Sequence, residues 1–316
     1  MSPAARSTGP HLPIIFHEAY EVDIGPHVFP TAKYRLVKER LLADGVIPAN
    51  SLLAPERVGD ADVRLVHTDE YVSKILTDTL TGLDRVRLEV PFSPALREAA
   101  WLCAGGSALA AQLALETGVA VHLGGGFHHA FADHGEGFCL INDVAIAIRM
   151  MQRRLHVRRA MVIDLDVHQG NGTATLFASD GDVFTFSMHQ ESNYPEWKPA
   201  SRLDVGLDDG TGDDEYLELL DRHLRRHLPE HAPELAFYLA GADPYREDQL
   251  GGLGLTIEGL RARDETVFNR LYERDVPVAV VLAGGYARDT ADTVEIHVNT
   301  VREAVRSLRR WAGVAG

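Results

Sequence analysis

Two histidines stand side by side at positions 128 and 129, inside "HLGGGFHHAFADHGEGF" (122–138). Adjacent residues on a strand or helix point in different directions, so one regular element could not aim both imidazoles at one spot. The glycine turn 124–126 could. In "DLDVHQGNG" (164–172), Asp166 stands two residues before His168. On an extended strand those side chains share a face, and a carboxylate beside an imidazole is a partial site for a divalent metal. "GADP" (241–244) offers Asp243 as a third ligand, although an aspartate before proline is also an ordinary turn residue. Two carboxylates and one imidazole suit zinc, and also iron(II) or cobalt. Three protein ligands leave an open position for catalysis. "GGY" (284–286) adds the phenol of Tyr286.

These residues share a place in the chain's rhythm. Short apolar runs recur at 12–16, 63–66, 119–123, 160–167, 183–187, 235–240 and 278–283. Several are apolar almost throughout, which marks strands of a parallel sheet buried on both faces. Helical stretches alternate with them. The clearest has Ser93 as N-cap, Pro94 at the first helical position and Gly118 as the stop. Gly105 and Gly106 in its middle predict close packing. A second, over 142–155, carries Val144, Ile148, Met151 and Leu155 on one face. Others are expected near 213–228, 256–273 and 290–312. Strand alternating with helix predicts a doubly wound α/β domain. In such sheets ligands bind beyond the carboxyl ends of the strands, and "GGGFHH", "DLDVHQGNG", "GADP" and "GGY" each follow or close one strand.

The remaining composition is that of a soluble protein. Of 316 residues, 45% are hydrophobic and 24% charged, and no linker, repeat or low-complexity tract divides them, so one domain is expected. The net charge of −15 has the wrong sign for neutralising nucleic-acid phosphates, but suits cationic, lysine-rich partners. Cys103 and Cys139 are too few for a disulfide framework. The N-terminus lacks the basic start and apolar core of a signal peptide. No apolar run reaches the ~18 residues of a spanning helix. A cytoplasmic location is the expectation, with residues 1–11 a flexible extension; oligomeric state is not legible.

In order and spacing, "GGGFHHA", "DLDVHQGNG", "GADP" and "GGY" resemble the zinc-dependent histone deacetylases. "LEVPFSP" (88–94), "GFCLINDVAIAIR", "GTGDDEYL" (210–217) and "DQLGGLGLTIEGLRARDETVF" (248–268) strengthen the resemblance, which runs from about residue 13 to 312 and looks closest to the class IV branch. It implies an arginase/deacetylase-like three-layer α/β fold, with a central, mostly parallel sheet flanked by helices. It implies hydrolysis of the amide of an acylated lysine, with acyl groups from acetyl to the long fatty chains that class IV includes. It carries over Asp166, His168 and Asp243 as ligands of Zn2+, with Fe2+ an in vivo alternative. His128 and His129 would sit above the metal and Tyr286 across from them.

Amide hydrolysis needs an activated water, a polarised carbonyl and a proton for the leaving amine. A metal serves the first two needs. An imidazole near neutral pKa can take a proton and return it, and a phenol can donate to the oxyanion. Asp164 is the candidate partner of His128, and Asn171 of His129. Many family members have a second aspartate where Asn171 stands; class IV resembles this chain in having asparagine. A neutral amide stabilises an imidazolium less than a carboxylate does, so His129 is the expected base and His128 the charged partner. The resemblance also implies a structural K+ held by Asp164, by the backbone near Asp166, His168 and Met188, and by the Ser187 hydroxyl. Gly137 and Phe138 would form one wall of the acyl-lysine tunnel and Tyr194 the other. Cys139 reads as a small buried residue behind the site. His122, His134 and His189 read as structural or surface residues, and the histidines of 221–231 as a solvated helix face.

Two other enzyme types fit part of this pattern. A two-manganese ureohydrolase would want aspartates where Asn171 and Tyr245 stand. A deacetylase of small acylated amines, such as acetylpolyamines, would differ only at the rim, where the 189–200 loop and Glu191 lie. A silent acyl-lysine reader would be expected to have lost Tyr286 or a ligand.

Overall fold

A computed structural model describes residues 11–154 and 157–313. The expected extension 1–11, His11 apart, and Leu155 of the apolar stripe lie outside the described residues. The strands are β1 (Ile14–Ile15), β2 (Leu52–Leu53), β3 (Val119–His122), β4 (Ala160–Asp164), β5 (Val183–Gln190), β6 (Leu203–Leu207), β7 (Leu235–Leu239) and β8 (Val278–Val281). They form one sheet in the order β2-β1-β3-β8-β7-β4-β5-β6, and every pairing is parallel. The apolar runs explain the central strands. Each residue of β3, β4, β5, β7 and β8 is buried, which requires cover on both faces. Helices supply it: β3 packs against both Pro94–Thr117 and Thr290–Trp311. This is the arginase/deacetylase fold.

The order matters for the site. β3, β8, β7 and β4 are contiguous, so four motifs far apart in sequence end side by side. Ser93 caps Pro94–Thr117 by accepting from the Leu96 amide. In the middle of that helix a Cβ on Gly105 would strike the Glu56 carbonyl, and one on Gly106 would strike His122 and Tyr20.

Some local expectations are corrected. Residues 63–66 are no strand; they close the short helix Asp60–Val63 and turn away from it. The run is apolar because Val63 packs in the core, not because it pairs. β4 stops at Asp164, so Asp166 and His168 stand on the bend after the strand. The helix expected to stop near 228 runs Asp213–His231, through Pro229. Its histidines are not a solvated face. His223, His227 and His231 are half-buried, and their rings lie 5.4–6.1 Å from Phe184 and Phe186. Spaced four apart, they share the inward stripe with the leucines. Among the described residues no helix is long and apolar enough to cross a membrane.

Candidate active site

The bend after β4 folds back on its own carboxylate. Asp166 Oδ1 accepts from the His168 amide and from His168 Nδ1, each at 3.0 Å, while Oδ2 accepts from the Gly284 amide at 2.8 Å. Asp243, past β7, accepts from the Val167 amide at 2.9 Å through Oδ1. Its other oxygen, Oδ2, is buried with no hydrogen-bond partner among the described residues and lies 3.5 Å from His168 Nδ1. Potential ligand atoms of Asp166, His168 and Asp243 all fall within 4.8 Å of one another. Two buried carboxylates and an orphaned oxygen ask for positive charge. The chain answers with a proton: burial disfavours charge on His168, but the hydrogen bond to Asp166 and the nearby carboxylates of Asp166 and Asp243 outweigh it and hold the imidazole at about 10. The donor set, two oxygens and a nitrogen, fits a divalent metal of the zinc and iron(II) kind.

The histidine pair arrives on a turn that only glycine adopts readily. Gly125 and Gly126 have φ of 72° and 89°, and a Cβ on Gly126 would lie 2.7 Å from that of Ala283. Buried Asp143 holds the turn by accepting from the amides of Gly126 (3.1 Å) and Phe127 (2.8 Å) and from the Ser107 hydroxyl. His128 Nδ1 meets Asp164 Oδ2 at 2.8 Å, and His129 Nδ1 meets Asn171 Oδ1 at 2.8 Å. The pair's environments push it apart. Burial works against charge on His128, but Asp164 and Asp166 more than offset it and raise the imidazole to about 9. Burial and the charges of His128 and His168 drive His129 well below the usual histidine range.

A cavity of about 220 Å³ leads to these groups, lined by Glu89, His129, Gly137, Phe138, His168, Asn193, Tyr194, Leu250 and Tyr286. Phe138 and Tyr194 both line it, and the Tyr194 ring meets those of His129 (5.0 Å) and His168 (6.2 Å) edge to face. Gly137 has φ of 51°, and a Cβ there would sit 2.7 Å from the His129 ring. Tyr286 lies 6.0 Å from Phe138, ring to ring, and its amide donates to Asp248 Oδ2 at 2.6 Å. The arrangement can hold a cation, admit a slender chain and present a base, an acid and a phenol to one point.

Residues 27–301 match the histone deacetylase domain. The chain belongs to the histone deacetylase family. It is 33% identical over 299 residues to histone deacetylase 2 of Arabidopsis thaliana, covering 89% of this chain and 77% of that one. An uncharacterized protein of Picosynechococcus sp. is 43% identical over 286 residues, 90% of this chain and 95% of the other. The crystal structure of the HDA15 HD domain shares the fold, with a TM-score of 0.77 and 22% identity over 96% of this chain and 89% of that one. As a histone deacetylase family member the protein is a hydrolase, and the Asp166–His168–Asp243 group is where this member could hold a metal.

All the residues singled out for the metal, the chemistry and the tunnel meet at this end of the sheet. Asp164 is the register partner of Ser187 on β5, with Met188 next along, so the residues expected to hold K+ share a neighbourhood. Cys139 is buried behind the site, and burial pushes its thiol up. His122 is structural, bridging Tyr20 and Ser107. Sequence reasoning missed Glu136, Asp143, Asp248 and Lys33. Lys33 is fully buried and donates to the Ala283 carbonyl at 2.6 Å. Its Nζ lies 5.7 Å from the Tyr286 ring centre, and burial brings it down to about 8. Asp143 and Asp248 lie inside the motif stretches 137–149 and 248–268, the only signal either gave.

Proposed function

We infer that this protein is a metal-dependent deacylase that hydrolyses the amide of an acylated lysine side chain. The observation that carries this reading is the convergence, at the foot of an aromatic-walled tunnel, of a buried Asp–His–Asp group, two differently polarised imidazoles and a phenol. A divalent ion at Asp166, His168 and Asp243, zinc by the donor set and iron(II) as the alternative, would supply Lewis acidity and lower the pKa of water.

The chain's own residues account for the rest. Phe138 and Tyr194 flank the aliphatic stem of the lysine and exclude water. His129 donates from Nδ1 to Asn171, which leaves the lone pair on Nε2; the Nε2 hydrogen of His128 shares that lone pair at rest and releases it on turning to the developing oxyanion, so that Nε2 takes a proton from the attacking water. His128, paired with Asp164, stays cationic and faces the developing oxyanion, and Tyr286 donates its hydroxyl hydrogen to the same oxygen. Collapse breaks the C–N bond, and the proton taken up by His129 passes to the leaving amine. Products are the carboxylate and the free lysine. A K+ beside Asp164 and Ser187 would fix the β4–β5 end beneath the histidines.

Acyl length is set behind the metal group. Cavities of about 30 Å³ continue there, with an apolar lining that includes Val22, Leu96, Ala99 and Cys103. Such a lining suits alkyl chains, and the likeness to class IV favours long ones, yet the open volume is near that of one water. The acetyl group fits this shape; a fatty chain requires the wall to open.

A second reading is a small acylated amine, such as an acetylpolyamine. Glu89 favours it, because it lines the tunnel mouth in a left-handed conformation, φ 61°, where it would meet an ammonium. The experiment is a substrate panel: lysine peptides acylated from acetyl to myristoyl, beside N-acetylated polyamines, with release of the free amine measured. Turnover of the peptides supports the lysine reading. Turnover of polyamines alone replaces it with the second, and no turnover of any acyl amine by the zinc- or iron(II)-loaded protein rejects both.

A further inference from the structure

Asn171, the side chain behind His129, is itself held from behind. Its Nδ2 donates to Glu136 Oε1 at 2.7 Å, and its Oδ1 accepts from the Gly172 amide at 3.0 Å as well as meeting His129 Nδ1. The hydroxyl of Tyr194 donates to the same Glu136 oxygen at 2.9 Å. The other carboxylate oxygen lies 3.4 Å from His134 Nε2. Glu136 cannot swing away easily. Its own backbone exchanges hydrogen bonds with Cys139 at 3.1 and 2.9 Å across the turn that presents Phe138.

The direction of these bonds has a consequence for the imidazole. An ionised carboxylate only accepts, whereas an amide has one donating and one accepting end. Glu136 therefore claims the NH2 end of Asn171 and turns the oxygen toward His129. An acceptor there requires the hydrogen of His129 to be on Nδ1, which leaves the lone pair on Nε2, 3.1 Å from His128 Nε2. We propose that Glu136 is a positioning residue that fixes the His129 tautomer through Asn171, and ties that tautomer to the tunnel wall through Tyr194. His129, Asn171 and Glu136 thus form a relay with a carboxylate one side chain further out than a direct histidine–aspartate pair would have it. This rests on the reading of His129 as the base, and the test separates the two.

The direct readout is 15N NMR of labelled His129 in the metal-loaded protein, which distinguishes a protonated Nδ1 from a protonated Nε2 without any turnover. Wild type should show the Nδ1–H tautomer, and Glu136→Leu a mixture. Kinetically, Glu136→Leu should lower kcat about tenfold or more, the scale of losing a charged hydrogen bond, with KM little changed. Glu136→Gln, which can still accept from Asn171, should recover most of the rate. Tyr194→Phe removes only the wall's bond to Glu136 and should raise KM without the kcat loss. The sign of one effect is diagnostic. In an Asn171→Asp background Glu136 faces a second carboxylate, so adding Glu136→Gln should there increase kcat on the plateau above the acidic limb of the pH–rate profile. An unchanged tautomer in Glu136→Leu, a full kcat loss in Tyr194→Phe, or the same loss from Glu136→Gln in both backgrounds would each overturn the proposal. Should Glu136→Leu not fold, Glu136→Gln and the double variant still decide it. A protein that shows the tautomer switch but hydrolyses no acyl amine retains this relay and loses the proposed function instead.

Discussion

His128 and His129 approach each other Nε2 to Nε2 at 3.1 Å, closer than two identical imidazoles could tolerate. Two neutral rings both protonated on Nδ1 would set lone pair against lone pair, and two imidazolium ions would repel. The contact is favourable when His128 carries both hydrogens and His129 offers a bare Nε2. Asp164 behind one ring and Asn171 behind the other impose that choice. The inequality expected from the sequence is thus written into the hydrogen bonds.

The first expected outcome follows. His129→Ala should remove nearly all turnover, because the proton acceptor is gone. His128→Ala should keep a measurable remainder, because Tyr286 still faces the oxyanion. Steady-state rates of the two metal-loaded variants check this, and a deader His128→Ala would reverse the roles.

Metal binding should displace a proton. In the metal-free protein His168 is held protonated up to about pH 10 by Asp166 and Asp243, and an imidazole must be neutral to bind a metal. Near pH 8, calorimetry in buffers of different ionisation enthalpy should report release of about one proton per metal bound, and affinity should fall as pH falls. The stability sign runs the other way. His128 and His168 have folded pKa values, about 9 and about 10, above the ~6.5 of an unfolded imidazole. Their contribution to metal-free stability is full below pH ~6.5 and is lost as pH rises through 9 and 10. Melting in chelator from pH 6 to 10 should show Tm falling across the upper part of that range. Replacing Asp243 with Ala should abolish metal retention and turnover together; full activity of a metal-free Asp243→Ala protein would remove Asp243 from the site.

Tyr286→Phe deletes one hydroxyl and little volume. A donor to the oxyanion matters most in the transition state, so kcat should drop about 100-fold or more with KM nearly unchanged. The Tyr286 amide bond to Asp248 is unaffected by the substitution, so a general collapse of the loop would not be the cause. An unchanged kcat would show that the phenol is not the donor.

What the sequence made legible was whatever repeats locally. β3, β4, β7 and β8 were readable as apolar runs because a strand covered on both faces needs an apolar side chain at nearly every position. β1, only two residues long, was still caught inside the apolar run 12–16, whereas the two-residue β2 was too short for a period and β6 alternates half-buried with exposed residues at its edge. Asp166 and His168 were expected together by strand alternation and are together instead by a bend closed on the Asp166 carboxylate. Glu136 and Lys33 were missed because their partners lie 35 and 250 residues away. A hydrogen bond of that span leaves no trace in local pattern.

Asn171→Asp tests how far the second carboxylate can be brought toward His129. A carboxylate in place of the amide should stabilise the imidazolium of His129, raise its pKa and move the acidic limb of the pH–rate profile upward. Glu136 opposes this in the single variant. Its Oε1 sits 2.7 Å from the Asn171 Nδ2 position, so the new carboxylate would meet a like charge there. Two carboxylates at that distance retain a proton between them, and less charge is left to act on His129. The shift in Asn171→Asp should therefore be partial. It should become complete when Glu136→Gln is added, because the amide can donate to the new carboxylate. The acidic limb should thus rise in the order wild type, Asn171→Asp, Asn171→Asp with Glu136→Gln. A limb that stays in place in both variants would mean that the group titrating in the profile is not His129.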